Sequence, residues 1–270
     1  MDEHTTNPID RQPDELNNIT NGDKNTITSS CQNQRKAFEN AAESIVSGSG
    51  ACAGDSTSFG SEIRNLESWA RSQAILIPED KFELLHLVSN TTSEHQVFFK
   101  ESESRAVKRT IAGFYGQIPI PENGNLGRRN ALPSEYLKRM ALQLAVFGGD
   151  IRLEGVTVSD KPSPILFEPP KQPSLVISQL WYERSGLASH EAIHDFLVLE
   201  GFRSVPSSYF GWYRAADRVV IVDAKPDNFV QTVAGLIPID LQMAQFSEAE
   251  LLEAGLSSDE EAPVIFIPRS

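Results

Sequence analysis

The sequence has little cysteine, no long apolar run and no excess of basic charge, and each shortage excludes a class of protein. Its two cysteines, Cys31 and Cys52, are too few for a disulfide framework or a zinc cage, and such sparse use is typical of a reducing compartment. No stretch approaches the roughly 18 apolar residues that a transmembrane helix needs. The first residues are acidic and polar, unlike a secretory or mitochondrial signal. We therefore expect a cytoplasmic protein with no membrane partner.

The negative charge of the chain is concentrated at its two ends. The 270 residues include 24 basic and 37 acidic side chains, for a formal net charge of −13, which argues against a nucleic-acid partner. Residues 1–58 have nine acidic and four basic side chains, and residues 247–270 have six and one, so each end carries −5. The central residues 59–246, with 22 acidic and 19 basic side chains, carry only −3. We expect the folded domain at 59–246.

Both ends are expected to lie outside that domain. Residues 1–58 are rich in Asn, Thr, Ser, Asp and Gly, with Phe38 as their one aromatic side chain, so we expect a mostly disordered segment. A helical pattern over residues 35–46 is weak. Residues 247–270 are expected to form an acidic, solvated tail, although the apolar segment Val264–Ile267 is able to dock as a strand.

Helix-like and strand-like patterns alternate between residues 59 and 246. Apolar residues at helical spacing predict helices over Phe59–Ser72 and Pro133–Phe147, the second with proline at its start and Gly-Gly after its end. A hairpin is predicted over Glu94–Thr110, and the Gly-, Pro- and Asn-rich residues 113–129 predict a loop. Further predictions are strands over 151–158, 175–180, 218–222, 229–233 and 236–239, a helix over 189–200, and an irregular connector over the proline-rich residues 161–173. The pattern favours an α+β fold in two lobes.

His190-Glu191-Ala192-Ile193-His194 is an HExxH sequence on a predicted helix. Histidines four residues apart lie on one helical face and are able to bind one zinc ion, with the glutamate polarising a water molecule. The extended form of the motif is absent, because Leu197 and Glu200 stand where it needs a glycine and a third histidine. A later glutamate such as Glu248 is a possible third ligand, but nothing singles it out. A helix with two surface histidines is the simpler interpretation, and a zinc metallopeptidase stays the less favoured alternative.

A second polar motif, Asp223-Ala-Lys-Pro-Asp-Asn228, follows an apolar strand and precedes a predicted hairpin that ends at Asp240. Phosphoryl transfer needs one carboxylate to accept the proton of the attacking hydroxyl, and a carboxamide and a second carboxylate to hold Mg²⁺ on the nucleotide phosphates. Magnesium prefers oxygen ligands and takes few of them from protein. Asn228 precedes the predicted hairpin and Asp240 follows it. Because a hairpin begins and ends at the same end of its paired strands, the two residues are expected to lie close together. The alternative is a plain turn, since Lys-Pro-Asp-Asn is common turn chemistry.

The motif Asp223–Asn228 resembles the catalytic loop of protein kinases, and Asp240 is similar to the aspartate of their DFG motif. More specifically, residues 59–246 resemble the kinase-like domain found in polyvalent proteins of phages and other mobile elements. This resemblance implies a compact two-lobed fold, ATP and Mg²⁺ as cofactors, and a kinase-type phosphotransferase. The segments that carry it are Glu94-His-Gln-Val-Phe-Phe99, Lys108-Arg-Thr110, Gly113-Phe-Tyr-Gly116, Ser134-Glu-Tyr-Leu137, Arg152-Leu-Glu-Gly155, Ile177-Ser-Gln179, Gly201-Phe202 and Pro238-Ile-Asp240.

The resemblance implies a role for each matching residue in the phosphate chemistry. Asp223 would be the catalytic base. Lys225 would steady the transferred phosphate. The metal ligands would be Asn228 and Asp240.

The same resemblance implies three residues that bind the nucleotide. Lys108 would hold the α- and β-phosphates, and Glu135 would pair with that lysine and orient it. Gln179 lies on the strand that, with Trp181 after it, would form the hinge that meets the adenine ring.

The chain departs from the ordinary kinase pattern at several places. No Gly-x-Gly-x-x-Gly sequence precedes Lys108, and Ile221-Val222 replaces the His-Arg before the catalytic aspartate. Leu-Gln rather than Phe-Gly follows Asp240, and the 30 residues after it leave no room for a long activation segment. The phosphoacceptor, protein or small molecule, is therefore open, and a pseudokinase-like binding module is the alternative to an active enzyme.

Overall fold

A computed structural model describes residues 21–48, 59–89, 94–159, 172–208 and 210–256, with the backbone alone for residues 21–28. The described residues combine α-helices with antiparallel β-sheets, so the predicted α+β class is confirmed. The connector predicted over 161–173 lies outside the described residues up to 171, and its last residue, Pro173, is in a strand. The strand predicted at Val264–Ile267 and Cys52 also lie outside the described residues.

The elements are numbered along the chain. The helices are α1 (Asn21–Ser47), α2 (Phe59–Ser72), α3 (Pro133–Phe147), α4 (His190–Leu199) and α5 (Glu248–Glu253). The strands are β1 (His86–Ser89), β2 (His95–Lys100), β3 (Arg105–Thr110), β4 (Gln117–Glu122), β5 (Asn125–Asn130), β6 (Ile151–Val158), β7 (Pro173–Leu180), β8 (Arg203–Ser204), β9 (Trp212–Arg214), β10 (Val219–Val222), β11 (Phe229–Thr232), β12 (Gly235–Pro238) and β13 (Gln242–Gln245).

The first sheet has five antiparallel strands in the order β1-β2-β3-β7-β6, and it contains the predicted hairpin over 94–110. Its register places Lys108 of β3 between Val97 of β2 and Ile177 of β7. The chain after α2 pairs with β6 at Val156. The preceding residue, Gly155, has a φ of +151°, and a Cβ atom on it would lie 2.2 Å from the carbonyl oxygen of Ile75. Any residue other than glycine would therefore push the two segments apart.

The second sheet has four strands in the order β13-β10-β9-β8, and β11 and β12 form a separate hairpin. β10 lies between β9 and β13, and its residues 219–222 are buried throughout. A short apolar strand that is covered on both faces is typical of a sheet interior. The polar loop at 223–228 therefore begins where a rigid, buried strand ends.

Helix α3 takes part in two hydrophobic cores. Tyr136 and Leu144 lie in the core that α1 and α2 form with the first sheet. Leu142 and Phe147, on another face of the helix, pack against the core between α4 and the second sheet. Among the described residues, no helix is both long enough and apolar enough to cross a membrane.

The ends of α3 and α4 follow from local capping, and both predicted helices are confirmed. The side chain of Glu135 accepts a hydrogen bond of 2.8 Å from the backbone N–H of Leu132, and Pro133 occupies the first turn of α3. Helix α4 begins at Ser189, whose Oγ accepts the backbone N–H of Ala192 at 3.1 Å. Gly201, with a φ of +81°, lies just beyond its end.

The prediction that residues 1–58 are mostly disordered is wrong for residues 21–48. Helix α1 packs along α3, and its side chains at Phe38 and Ile45 have no exposed surface. Residues 38, 41, 42 and 45 repeat at helical spacing, so a narrow apolar stripe faces the core although the helix is polar elsewhere. At the other end, α5 buries Leu251, so the acidic tail does not begin at 247.

The predicted loop over 113–129 is also wrong, because residues 117–130 form the β4–β5 hairpin. Asn123 and Gly124 connect the strands with φ values of +52° and +77°. An Asn-Gly pair with two left-handed residues is the preferred two-residue hairpin turn. The signal was therefore present in the sequence, and the prolines at 119 and 121 masked it.

The packing of α1 predicts that the folded unit requires this helix. Phe38→Ala should lower the free energy of unfolding by about 3–5 kcal/mol, because a fully buried aromatic side chain is removed. Urea unfolding of the full chain measures this difference. The control is Lys36→Ala, an exposed position on the same helix, with an expected change within about 0.5 kcal/mol. Equal effects of the two substitutions would show that α1 is not part of the folded unit.

Candidate functional site

A buried ion pair joins the first sheet to the end of β12. The Nζ atom of Lys108 lies 3.1 Å from Oδ1 of Asp240 and donates a hydrogen bond of 3.0 Å to the carbonyl oxygen of Ile239. Lys108 is 3% exposed, whereas the side chain of Asp240 is 29% exposed. Burial raises the pKa of Asp240, but the charge and hydrogen bond of Lys108, together with His95 and Arg139, hold the pKa below its ordinary value. Asp240 is therefore an ionised carboxylate that contacts the buried Lys108 on one side and is partly exposed to solvent.

His95 lies between Asp240 and helix α3. Its Nε2 atom is 2.8 Å from the hydroxyl oxygen of Tyr136, and its Nδ1 atom is 3.6 Å from Oδ1 of Asp240. Burial lowers the pKa of His95 to about 4, despite the nearby carboxylates of Asp240 and Glu94. The imidazole is therefore neutral at neutral pH and carries one N–H. Burial also raises the pKa of Tyr136, so its hydroxyl keeps its proton.

A second ion pair, between Glu94 and Arg139, lies beside the first. Arg139 of α3 donates hydrogen bonds of 3.0 Å and 2.5 Å to the two carboxylate oxygens of Glu94. The backbone N–H of Gln117 donates to the same carboxylate at 2.9 Å, and a Cβ atom on Gly116 would lie 2.3 Å from its carbon atom. Burial raises the pKa of Glu94, but the charge and hydrogen bonds of Arg139, together with His95, place the pKa below its ordinary value. The two pairs together balance two positive and two negative charges.

Residues 223–228 form a tight polar loop after β10. Asp223 has a φ of +63°, in the left-handed region that aspartate tolerates better than most residues. The Nδ2 atom of Asn228 donates hydrogen bonds of 2.6 Å to the backbone oxygen of Asp223 and 3.0 Å to its Oδ2 atom. The Nζ atom of Lys225 lies 3.1 Å from the same Oδ2 atom. The loop thus brings the three predicted residues into direct contact.

The β11–β12 hairpin brings the two predicted metal ligands to one side. Phe229 pairs with Pro238, and the backbone N–H of Ile239 donates to the carbonyl oxygen of Asn228 at 3.0 Å. Asn228 and Asp240 therefore flank the same end of the hairpin, as the sequence predicted.

Strand β5 places a further cation at this loop. Arg128 Nη1 lies 3.5 Å from Oδ1 of Asp223, and its side chain is 48% exposed. Asp223 thus has a cation near each carboxylate oxygen, Arg128 at Oδ1 and Lys225 at Oδ2. The β4–β5 hairpin that carries Arg128 lies in a segment predicted to be a loop, so this contact was not anticipated.

Gln179 lies in a lateral row with Phe99 and Ala106 across neighbouring strands of the first sheet. This row is next to the row that contains Lys108, and it faces the same side of the sheet because residues two apart share a face. The rings of Phe99 and Trp181 lie 4.8 Å apart at the end of the row. The row therefore forms a mostly apolar strip that leads from Lys108 to an aromatic pair.

Glu135 does not pair with Lys108, which corrects the prediction. Its carboxylate binds the guanidinium of Arg129 through hydrogen bonds of 2.7 Å and 2.6 Å, and it also caps the start of α3. Tyr136 and Arg139 are the α3 residues that face the site, because they lie on the buried side of the helix. The prediction assigned Glu135 to the face of α3 that is turned toward Lys108. It was wrong because the length of the segment before α3 does not determine how the helix is rotated about its own axis.

The HExxH helix packs through Ile193 and Leu197, and its two histidines are exposed. The ring of His190 stacks on Phe210 at 5.8 Å, and that of His194 lies edge-on to Trp212 at 5.5 Å. Within the part of the chain that the structure describes, no three His, Cys, Asp or Glu side chains are grouped closely enough to hold a metal ion. The described residues thus give this helix no third zinc ligand.

A cavity of about 400 Å³ opens between α1, α3 and β13. Its lining includes Arg139, but Lys108, Asp223 and Asp240 do not line it. A smaller cavity of about 40 Å³, lined partly by Gln143, Gln179 and Pro238, lies beside the strip described above. The larger cavity therefore borders the charged group at Arg139 and does not reach Lys108 or Asp240.

Compared with known proteins, the chain matches no family model, no curated protein and no solved structure. The geometry of Lys108, Asp223, Asn228 and Asp240 is therefore the basis for a functional assignment.

Four residues of the site were not assigned a role from sequence: His95, Glu94, Arg139 and Arg128. Glu94 and His95 belong to a segment that carries the resemblance, so a signal for them was present. Arg139 appears in the sequence as an ordinary polar residue of an amphipathic helix, and only its complete burial reveals its contact.

The lowered pKa of His95 predicts a loss of stability in mild acid. Between pH values of about 6.5 and about 4, the unfolded chain binds a proton at this histidine that the folded chain does not bind. The contribution of His95 is therefore fully present above its unfolded pKa and lost as the pH falls. From about pH 7 to about pH 5, the free energy of unfolding should fall by about 2 kcal/mol on this account.

Urea unfolding of the parent, His95→Gln and His194→Gln at the two pH values tests this prediction. His194 is exposed and serves as the control, so His194→Gln should keep the pH dependence of the parent. His95→Gln should lose most of it. An unchanged dependence in His95→Gln would contradict the assignment.

Proposed function

We propose that residues 59–246, together with α1 and α5, form a kinase-like two-lobed phosphotransferase that binds ATP with Mg²⁺ between the first sheet and the 223–240 segment. The observation that carries this proposal is the contact between Lys108 and Asp240. Protein kinases place a lysine on the third strand of a sheet and a metal-binding aspartate after the catalytic loop, and both act on the same phosphates. Here a lysine and an aspartate at matching places in the chain lie 3.1 Å apart.

The donor set fits Mg²⁺. Asp240 offers a partly exposed carboxylate, and Asn228 offers an amide oxygen at the same end of the hairpin. Because the amide nitrogen of Asn228 faces Asp223, its oxygen is turned away from that carboxylate. A hard cation that keeps several water and phosphate ligands needs few oxygen atoms from protein, and it neutralises charge on the transferred phosphoryl group when bound.

The rest of the nucleotide would contact side chains of the first sheet. Lys108 would contact the α- and β-phosphates, and the strip of Phe99, Ala106 and Gln179 would take the adenine ring, with Trp181 at its edge. An apolar strip with one polar amide is typical of a site for a flat heterocycle.

Asp223 and its neighbours supply the transfer step. The carboxylate of Asp223 would accept the proton of the attacking hydroxyl group, and Lys225 would contact the transferred phosphate. Arg128, half exposed beside Asp223, would add a second cation there. Arg128 would supply this positive charge in a chain that has no glycine-rich loop before Lys108.

A pseudokinase-like binding module is favoured by one observation. Both carboxylate oxygens of Asp223 are engaged, Oδ1 by Arg128 and Oδ2 by Lys225 and Asn228. A general base has to release one of these contacts to accept a proton. If the contacts persist, the protein binds the nucleotide without turnover.

Incubation of the full chain with γ-labelled ATP and Mg²⁺ tests the proposal. The parent should hydrolyse ATP or transfer its label, and Asp223→Asn and Asp240→Asn should each lower the rate by at least about 100-fold, because a base or a metal ligand is removed. The control is Glu135→Gln, which would abolish activity if Glu135 oriented the lysine. Here it should keep the rate within about threefold, since Glu135 contacts Arg129 instead.

Three results separate the possibilities. ATP binding without turnover in the parent would support the binding module. Turnover that is unchanged in both aspartate variants would place the chemistry elsewhere. Stoichiometric zinc that is lost in His190→Ala would support the metallopeptidase.

A further inference from the structure

We propose that His95 is a positioning residue for Asp240, and that the Asp240–His95–Tyr136 series couples α3 to the metal site in place of a helix glutamate. The inference rests on the proposed function, because it assigns Asp240 to Mg²⁺. It starts from the observation that Glu135, the α3 carboxylate that was expected to pair with Lys108, binds Arg129 instead. The helix reaches the site through other side chains.

Tyr136 is the α3 residue that makes this connection. It has no exposed surface, and its hydroxyl group lies 2.8 Å from Nε2 of His95. The other imidazole nitrogen faces Oδ1 of Asp240 at 3.6 Å. The ring thus spans the gap between helix and carboxylate, and no other element is needed to connect them.

The chemistry of Asp240, His95 and Tyr136 determines which atom carries each proton. An ionised carboxylate accepts hydrogen bonds and cannot donate them, so we assign the single proton of the neutral ring to Nδ1, which faces Asp240. With the proton on Nδ1, Nε2 accepts from the tyrosine hydroxyl. A group at this position must accept from a hydroxyl at one end and donate to a carboxylate at the other, and histidine does both with one rigid ring. Since 3.6 Å is longer than a hydrogen bond, the Nδ1–H group orients Asp240 by electrostatic attraction and close packing.

The closest contacts of Lys108 and His95 with Asp240 fall on the same oxygen atom. Lys108 and His95 both contact Oδ1, from β3 and β2 respectively. Oδ2 takes part in neither contact, and the side chain is partly exposed. Two partners on Oδ1 restrict the rotamer of Asp240, and in this proposal the other oxygen, Oδ2, is the one that binds the cation. Partners that orient a metal ligand through a hydrogen-bonded group commonly affect metal affinity by about 10–100-fold when they are removed.

Position 95 is held in place by its neighbour. Glu94 binds Arg139, one helical turn from Tyr136 on the same face of α3. Glu94, which precedes β2, and His95, its first residue, therefore contact two side chains on one face of α3. A rotation of α3 would move His95 and, through it, Asp240.

The experiment measures the Mg²⁺ concentration at half-maximal ATP binding by calorimetry, using the full chain. His95→Phe removes both contacts and should raise this concentration by about tenfold or more. His95→Asn keeps a donor near the place of Nδ1 and should recover most of the loss. The matched control is Tyr115→Phe, a buried tyrosine in the same core whose hydroxyl group donates to the backbone oxygen of Pro173 at 2.8 Å. It should leave the Mg²⁺ dependence unchanged.

A second readout requires no ligand and no variant that has to fold. ¹⁵N NMR of the unliganded full chain reports which imidazole nitrogen of His95 carries the proton. Protonation of Nδ1 is expected, and protonation of Nε2 would overturn the proposal. An equal Mg²⁺ dependence for the parent and His95→Phe, with ATP bound by both, would also overturn it and leave the proposed function intact. Absence of Mg²⁺-dependent ATP binding in the parent would refute the proposed function, and the role of His95 with it.

Discussion

The structure depends most on the buried contact between Lys108 and Asp240. An ammonium group in a sheet interior is costly unless an opposite charge meets it, and the nearest one comes from a residue far along the chain. This requirement draws the end of the β11–β12 hairpin against the middle of the first sheet. Lys108 also binds the carbonyl oxygen of Ile239, and Gln143 of α3 donates to that of Pro238 at 3.1 Å. The hairpin is therefore fixed from the sheet and from the helix.

Helix α3 transmits this constraint to the rest of the fold. It contributes to both hydrophobic cores, and its buried face presents Tyr136 and Arg139 to the site. The two ion pairs and the neutral His95 form one charge-balanced group, so none of the buried charges lacks an opposite partner. Loss of one member would leave its partner unpaired in the interior, which costs more than the pair contributes. The group therefore specifies one arrangement of helix, sheet and hairpin.

Much of this arrangement could be predicted from the sequence, because the strands and helices with clear apolar periods lie at or close to their predicted positions. The helix Pro133–Phe147 and the placement of Asn228 beside Asp240 follow from local patterns alone. Helix α1 gave only a weak helical pattern over residues 35–46, since its few apolar residues are recognisable as a core stripe only against the α3 surface that they cover. The same holds for Glu135: helical periodicity gives a face, but the rotation of that face toward the site is set by burial of Arg139 and Tyr136.

Calorimetric titration of the full chain and of Lys108→Met with ATP, with and without Mg²⁺, tests the central claim most directly. Methionine has a similar length and no charge, so it removes the contact to Asp240 and the proposed contact to the phosphates while filling much of the same space. The parent should bind one ATP in the presence of Mg²⁺, and Lys108→Met should bind at least about tenfold more weakly. Equal binding by the two proteins, or no binding by the parent, would contradict a nucleotide site at the Lys108–Asp240 pair.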